Sequence, residues 1–473
     1  MPRALNMKSK RHHIRVHLRP LIGGVCASAL LSGCISPSGD RLPPAVAVPS
    51  QWLATTDRAA APMARRWWEA FEDATLTELI DEALATNNDL AIAAIRVQRA
   101  RLRAGLAATN GLPSAEANAG INVSRAFDSA GTRRFTYANA SLSYEADLWG
   151  KLAAQRSEAA WKARASEADR EAAALALIGT TAKLYWQIGN LNELLARGEA
   201  SVADAERLVE LAKARHRAGA ASALDVAEAE QQAAQQRAEQ QSLRMEREAK
   251  RNALAVLFDR APEQRAAEPI GLSAATLPAV GAGLPPEVLA RRPDLRAAEF
   301  RLRASLANID IARASFYPSF ALTGEFGTSS EALVRTLQSP VAALGIGLTL
   351  PFMQWKTKQL ELRVARSEYD EAASDFRQKL HRALADVENA LSARTQLDAQ
   401  AVERERAVVE ARRAAMLAET RFRAGKTSLE PWIEAQRALR HSMTANTANR
   451  LARLENRMDL YLALGGGEGW LTN

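Results

Sequence analysis

The chain has 473 residues with a formal net charge of +8. Six of its basic residues lie in the first 33 residues, which hold no acid, so removal of that segment would leave a charge near 8 − 6 = +2. The overall charge is therefore no evidence for nucleic-acid binding. The two cysteines are Cys26 and Cys34. Loss of the same segment would leave only Cys34, which excludes an intramolecular disulfide.

The amino terminus has the pattern of a signal peptide. A basic stretch is followed by a short apolar run, Leu21–Leu31, which is too short for a membrane span. Leu31-Ser32-Gly33-Cys34 resembles the lipobox of bacterial lipoproteins, so residues 1–33 are predicted to be removed and Cys34 to be the lipid attachment site, carrying palmitate. The alternative is a simple secretory signal with a chance cysteine. Ile35, in place of the Asp that retains lipoproteins in the inner membrane, favours the outer membrane.

Two pairs of segments in the chain repeat each other. Leu211–Ser222 and Leu417–Ser428 share the pattern Leu-Ala-x-x-Arg-x-Arg-Ala-Gly-x-x-Ser, at an offset of 206 (421 minus 215). Asn88–Ser114 aligns with Pro293–Ser319 at an offset of 205 (293 minus 88). Because the two offsets nearly agree, the sequence predicts an internal duplication. A glycine after a basic turn predicts a helix end and a tight reversal in each copy.

Long helices are predicted on both sides of each reversal. Residues 150–217 hold no proline and carry a coiled-coil-like apolar seam at Leu175, Ile178, Ala182, Tyr185, Ile188, Leu191 and Leu195. A helix of this length would extend roughly 100 Å. The second copy predicts a matching helix at 355–423. Shorter helices are predicted at 78–110, 224–258, 291–315 and 432–464, and a soluble coiled-coil rod is the simplest alternative.

Four runs of alternating apolar and small or polar residues argue against a rod. They lie at about 115–126, 134–147, 319–328 and 341–352. Each run has about ten residues, the length of a tilted transmembrane strand. Four strands cannot close a barrel, and an open edge cannot face lipid, so chains must share the barrel. Two chains would give eight strands and three would give twelve, and the small polar inward residues favour three.

No catalytic constellation was found, so the chain is predicted not to be an enzyme. It shows no metal-spaced Cys/His cluster, nucleophile elbow or phosphate-binding glycine loop, and no cofactor or metal site is predicted. His216, His381 and His441 stand alone on predicted helices. The paired Trp67 and Trp68 are interpreted as packing anchors.

Several motifs resemble the outer-membrane factors of the TolC/OprM type, in the NodT-like lipoprotein branch. They are Arg291–Glu299 running into Tyr317-Pro318-Ser319, Tyr144–Lys151, the two Arg-x-Arg-Ala-Gly turns, and Leu460–Gly467. The resemblance covers the whole mature chain. It divides the chain into a signal peptide (1–33), a lipidated tether (34–74) and two repeats (75–270 and 271–473).

The resemblance implies a mainly α chain with a membrane β-barrel. Three chains would form a twelve-stranded outer-membrane barrel and a twelve-helix periplasmic tunnel. The implied function is the outer-membrane channel of a tripartite efflux system that exports small molecules such as drugs. The implied partners are two further copies of the chain, a periplasmic adaptor, an inner-membrane efflux pump and outer-membrane lipid, with no nucleic acid. A type I secretion duct, a periplasmic adaptor lipoprotein and a lipid-anchored enzyme are the alternatives.

The resemblance also assigns roles to residues at the two turns. The helix after each turn would supply an acidic ring at the periplasmic aperture, formed by Asp225, Glu228 and Glu434. Pro431 takes the place matching Asp225 and departs from this pattern. The turns themselves would dock the adaptor, through Arg217, Gly219, Ser222, Arg423, Gly425 and Ser428. The same glycines and serines are also expected to cap helices.

Overall fold

The computed structural model describes residues 48–54, 64–125, 132–273, 277–281, 283, 285–330 and 340–467. The predicted signal peptide and Cys34 lie outside these residues, as do the interiors of the two loops that join paired strands.

Helices dominate the described residues, and four strands interrupt them. The helices are α1 (Ala74–Thr86), α2 (Asn88–Thr109), α3 (Lys151–Arg217), α4 (Ala223–Leu257), α5 (Pro285–Arg291), α6 (Pro293–Ala314), α7 (Trp355–Arg423) and α8 (Glu430–Ala463). The strands are β1 (Ser114–Arg125), β2 (Thr132–Ala146), β3 (Ser319–Ser330) and β4 (Pro340–Thr349). Short 3₁₀ helices occupy Trp67–Phe71 and Pro351–Gln354. Among the described residues, no helix has both the length and the apolar character needed to cross a membrane.

The two long helices are continuous, as predicted. Helix α3 has 67 residues and α7 has 69. Every member of the predicted apolar seam of α3 is buried, because α3 packs against neighbours along its length. Helix α3 pairs with α4 to make a first hairpin, and α7 pairs with α8 to make a second.

Two of the shorter helices are interrupted where single helices were predicted. The helix expected at 78–110 breaks at Asn87, whose extended backbone lets its side chain accept from Leu90 N at 3.0 Å and donate to Leu257 O at 3.0 Å. The helix expected at 291–315 breaks at Arg292. A residue before proline is kept out of helical geometry, so α6 starts at Pro293.

The strands form one antiparallel sheet in chain order, β1-β2-β3-β4. The register places Asn118 opposite Asn139, and Asn139 opposite Gly327, which keeps the polar positions on one face. Apolar residues of the other face are exposed in the single chain, including Ile121, Leu142, Leu344 and Ile346. The prediction for the last strand was three residues too long at its end (352 minus 349), since a 3₁₀ helix begins at Pro351.

The largest hydrophobic cluster joins the amino-terminal segment to the middle of the helices. Trp67 stacks on Tyr461 with ring centroids 4.7 Å apart, which confirms the prediction of a packing anchor. Trp52, in the predicted tether, is buried and donates from Nε1 to Gly283 O at 2.9 Å. The part of the tether that the structure describes therefore packs along the body.

Arg292 ties three helices together in the same region. Its guanidinium contacts Asp294 at 2.9 Å, Asp386 at 3.2 Å and Ala463 O at 3.2 Å. Burial alone would raise the pKa of Asp294. The hydrogen bond and charge of the Arg292 guanidinium outweigh burial and hold this pKa below its usual value. Gly465 turns there at φ 90°, and a side chain on it would lie 3.1 Å from the Arg291–Arg292 backbone. Only glycine fits this close approach.

Candidate functional site

The two hairpin tips have the same backbone at the end of their first helices. Gly219 and Gly425 have φ values of 70° and 72°, in the left-handed region that favours glycine. In the first tip Gly219 N donates to His216 O at 2.9 Å and Ala220 N to Arg215 O at 2.8 Å. The equivalent bonds in the second tip are 2.9 and 3.0 Å. Both tips are Schellman motifs, which confirms the predicted reversals.

The helices that leave the two tips begin differently. Helix α4 starts four residues after its glycine (223 minus 219), with Ser222 as N-cap. Helix α8 starts five residues after its glycine (430 minus 425), with buried Leu429 as N-cap and no side-chain cap. The capping expectation is therefore right for Ser222 and wrong for Ser428. The apolar Leu429 enters the core between the hairpins and shifts the helix start by one residue.

Asp225 joins the two tips within one subunit. Its carboxylate accepts from Ser222 N and from Ser222 Oγ, both at 2.7 Å, and so completes a capping box. The backbone N–H of Leu429, on the other hairpin, also acts on this carboxylate and favours its charged form. The pKa of Asp225 lies below its usual value. The main cause is hydrogen bonding from Ser222, and the backbone of Leu429 and the charge of Arg215 add to it.

Arg215 makes a second link between the tips. Its guanidinium carbon lies 4.4 Å from the centre of the Phe422 ring, and its Nη1 donates to Phe422 O at 3.4 Å. The Phe422 ring packs against Trp432, with centroids 5.3 Å apart. Beneath these contacts a small core buries Ala205, Val209, Ala212, Ala229, Ala233, Phe422, Leu429 and Ile433.

The residues predicted to form the aperture and the docking turns lie on these two hairpin ends. The six turn residues Arg217, Gly219, Ser222, Arg423, Gly425 and Ser428 are exposed. Arg423 pairs with Glu419 at 2.6 Å, on its own helix. Asp225 and Glu228 are half-buried, and exposed Glu434 pairs with Arg437 at 3.0 Å.

Sequence reasoning missed the residues that hold the tips together. Arg215 was noted only as part of the repeat, and neither Phe422 nor Leu429 was singled out. One signal was available, because the repeat places Phe422 where the first copy has His216. An aromatic residue in an otherwise polar turn indicates a packing role.

Comparison with known proteins shows which family has this architecture. The model of a family described as outer membrane efflux protein matches residues 79–258 and 284–466. The chain belongs to the outer membrane efflux protein family.

Two named relatives are similar to this chain over nearly its full length. The pyoverdine export outer membrane protein OpmQ of Pseudomonas putida is 32% identical over 454 residues, covering 93% of this chain and 96% of that protein. The probable efflux pump outer membrane protein TtgC of Pseudomonas putida is 28% identical, covering 95% and 96%.

Two solved channels show the same fold. The outer-membrane channel OprN has a TM-score of 0.83 at 25% identity, covering 91% of this chain and 98% of that one. The open state of the MtrE outer membrane channel of Neisseria gonorrhoeae has a TM-score of 0.77 at 31% identity, covering 90% and 97%.

Family membership confirms the predictions of fold, location and general function. This efflux protein is a mainly helical outer-membrane channel subunit that contributes four strands to a trimeric barrel and long hairpins to a periplasmic tunnel. It works with a periplasmic adaptor and an inner-membrane pump. Helices α3 and α7 of the efflux protein run unbroken for 67 and 69 residues from just after the strands to the hairpin tips, so the tips lie at the end of the periplasmic tunnel away from the barrel.

Proposed function

We propose that this efflux protein is the exit duct for small molecules, with a periplasmic end held shut by contacts between its own hairpins. The observation that carries the proposal is the contact of Arg215 with Phe422 across the two tips, with the guanidinium 4.4 Å from the ring centre and Nη1 donating to Phe422 O at 3.4 Å. The names of the relatives support small molecules as cargo, since they include a pyoverdine exporter and a toluene efflux pump protein. Nothing in this role requires catalysis, and we propose that the chain is not an enzyme.

The turns and the acids beside them would have separate tasks. The exposed turn residues predicted from the sequence would dock the adaptor, since they form the outermost surface of each hairpin. Asp225, Glu228 and Glu434 would contribute, in three copies, to an acidic aperture that favours cations. Within that aperture Asp225 would also act as the latch between hairpins.

Opening would separate the two hairpins at their tips. A closed tunnel of packed helices needs only the contacts at its narrow end to be broken, and the contact of Arg215 with Phe422 between the two tips of one subunit would be among them. We also propose lipidation at Cys34 after removal of residues 1–33, a tether over 34–74, and two repeats over 75–270 and 271–473.

Single-channel conductance of the purified trimer in planar bilayers tests this proposal. We expect small, mostly closed, cation-preferring openings, and reduced cation preference in Glu434→Gln. Glu403→Gln is the matched control, because Glu403 forms the same i, i+3 pair with Arg406 at 3.0 Å as Glu434 does with Arg437. A wide, always open channel in the wild type would contradict the closed tip.

A type I secretion duct is the second candidate function. Deletion of the chain should raise sensitivity to small toxic compounds under the first proposal. Loss of one secreted polypeptide, with unchanged sensitivity, would favour the second.

A further inference from the structure

A groove between the two hairpins lies a few helical turns from the tips. It consists of two adjoining cavities of about 330 and 530 Å³, which share Ser201, Asp204, Gln436 and Arg440 in their walls. Helices α3, α4 and α8 all line it. Volumes of this size are typical of small-molecule sites.

The groove contains buried hydrogen-bond donors that lack acceptors. Nη2 of Arg440 and Nε1 of Trp432 are both buried without a partner among the described residues. Both residues line the smaller cavity. A buried donor that makes no hydrogen bond destabilises the fold, and the free-energy cost is larger when the donor is charged. Two such donors in one cavity indicate an acceptor-rich ligand.

Arg440 differs from the other arginines around it. Arg437 pairs with Glu434 at 3.0 Å, and Arg423 pairs with Glu419 at 2.6 Å. The carboxylates of Glu239 and Asp204 act on Arg440 only at longer range, and Arg437 opposes them. Burial outweighs these charges and lowers the pKa of Arg440 from its usual value, so an anion placed against it would relieve the desolvation.

The larger cavity adds an apolar wall beside the charged one. Leu194, Leu243, Leu439 and Met443 line it on the side away from the tip. Gln240 offers one further polar atom there, a buried Oε1 without a partner among the described residues. Glu239 and Glu246 line the same cavity, so its apolar side chains lie beside acidic ones, and Arg440 is the group that would attract an anion.

We propose that this groove binds an amphiphilic anion, with a carboxylate or similar group on Arg440 and Trp432 and a hydrocarbon body among the leucines. Fatty acids and other amphiphiles with a carboxylate belong to this class of ligand. Because the ligand would contact both hairpins, it would hold them together; that consequence rests on the proposed closed tip, whereas binding itself does not.

Quenching of Trp432 by 2-bromododecanoate tests the site, using the full-length trimer in lipid nanodiscs, because this ligand carries its bromine beside the carboxylate that would contact Trp432. Bromine quenches tryptophan only near contact. We expect saturable quenching that disappears in Trp432→Phe, and an affinity at least about tenfold lower in Arg440→Gln, since hydrogen bonds to charged groups are strong. Arg437→Gln, one turn earlier and already paired, should bind like the wild type.

Neutral 2-bromododecan-1-ol separates the site from membrane partitioning. We expect it to quench weakly and without saturation, and equally in wild type and Arg440→Gln. Equal affinity of the carboxylate for wild type and Arg440→Gln would overturn the proposal, as would saturable binding of the alcohol. If Arg440→Gln fails to assemble, Arg440→Lys serves instead, with an intermediate affinity expected because a lysine gives one point charge in place of a planar fork.

Discussion

The guanidinium of Arg215 and the ring of Phe422 face each other at 4.4 Å across the tips of two different hairpins. The two residues are one position out of step in the internal repeat: Phe422 matches His216, and Arg215 matches Arg421. The duplication therefore supplies two similar turns. The contact between them depends on a difference in sequence, because the second copy has Phe422 where the first has His216. Together with Asp225 and Leu429, this pair forms the junction between the hairpins.

Replacement of Asp225 by Asn should weaken that junction. The amide keeps the shape but loses the negative charge that attracts the N–H groups of Ser222 and Leu429, and a negative charge in the first turn of a helix contributes about 0.3–1 kcal/mol. We expect a higher open probability in planar bilayers with unchanged trimer assembly. Asp375→Asn is the control, because Asp375 pairs with Lys379 at 2.8 Å on its own helix, far along the chain from the tips. Closed channels in Asp225→Asn would contradict the latch.

Acidification should have a similar effect through the same group. Because the pKa of folded Asp225 is depressed, its contribution to stability is complete above its unfolded pKa of about 3.9 and is lost as pH falls through the folded value. We expect no change in open probability from this group between about pH 7 and 5, and more opening below about pH 4. Because acid protonates carboxylates in general, the difference between wild type and Asp225→Asn isolates the contribution of Asp225. A wild-type response that the variant reproduces in full would assign the effect elsewhere.

Gly425→Val should abolish efflux while trimers remain in the outer membrane. A β-branched residue is strained at a φ of 72°, so the turn would distort at the surface proposed for adaptor docking. Asn tolerates this conformation, and Gly425→Asn should retain efflux. Drug susceptibility and the trimer band on unheated gels are the measurements. If Gly425→Val also loses the trimer, the turn matters for assembly and not for docking.

Arg292→Leu should lower stability by about 2–3 kcal/mol, because it removes charged hydrogen bonds to Asp294, Asp386 and Ala463 O at a buried position. The midpoint of heat dissociation of the trimer reports the loss. Arg301→Leu is the control. It breaks a half-exposed pair with Asp169 and should cost under about 1 kcal/mol. Equal losses of stability in both variants would mean that the buried contacts of Arg292 contribute no more than an exposed ion pair.

The sequence alone determined the architecture of this protein. Strong period-two and helical patterns, repeated at a nearly constant offset, specify four strands and two hairpins because each element must bury one apolar face. The glycines of the tips were also readable, since Gly219 and Gly425 meet a backbone requirement that few residues satisfy.

Only the tertiary structure decided which side chains meet between the hairpins. Asp225 and Leu429 are 204 residues apart (429 minus 225), and no local pattern brings them together. The break at Asn87 likewise depends on Leu257 O, which satisfies its side chain from a distant helix. Periodicity reports which face of an element is buried. The partner that covers that face, and the buried donors such as Arg440 that are left without one, are set by how the helices pack in three dimensions.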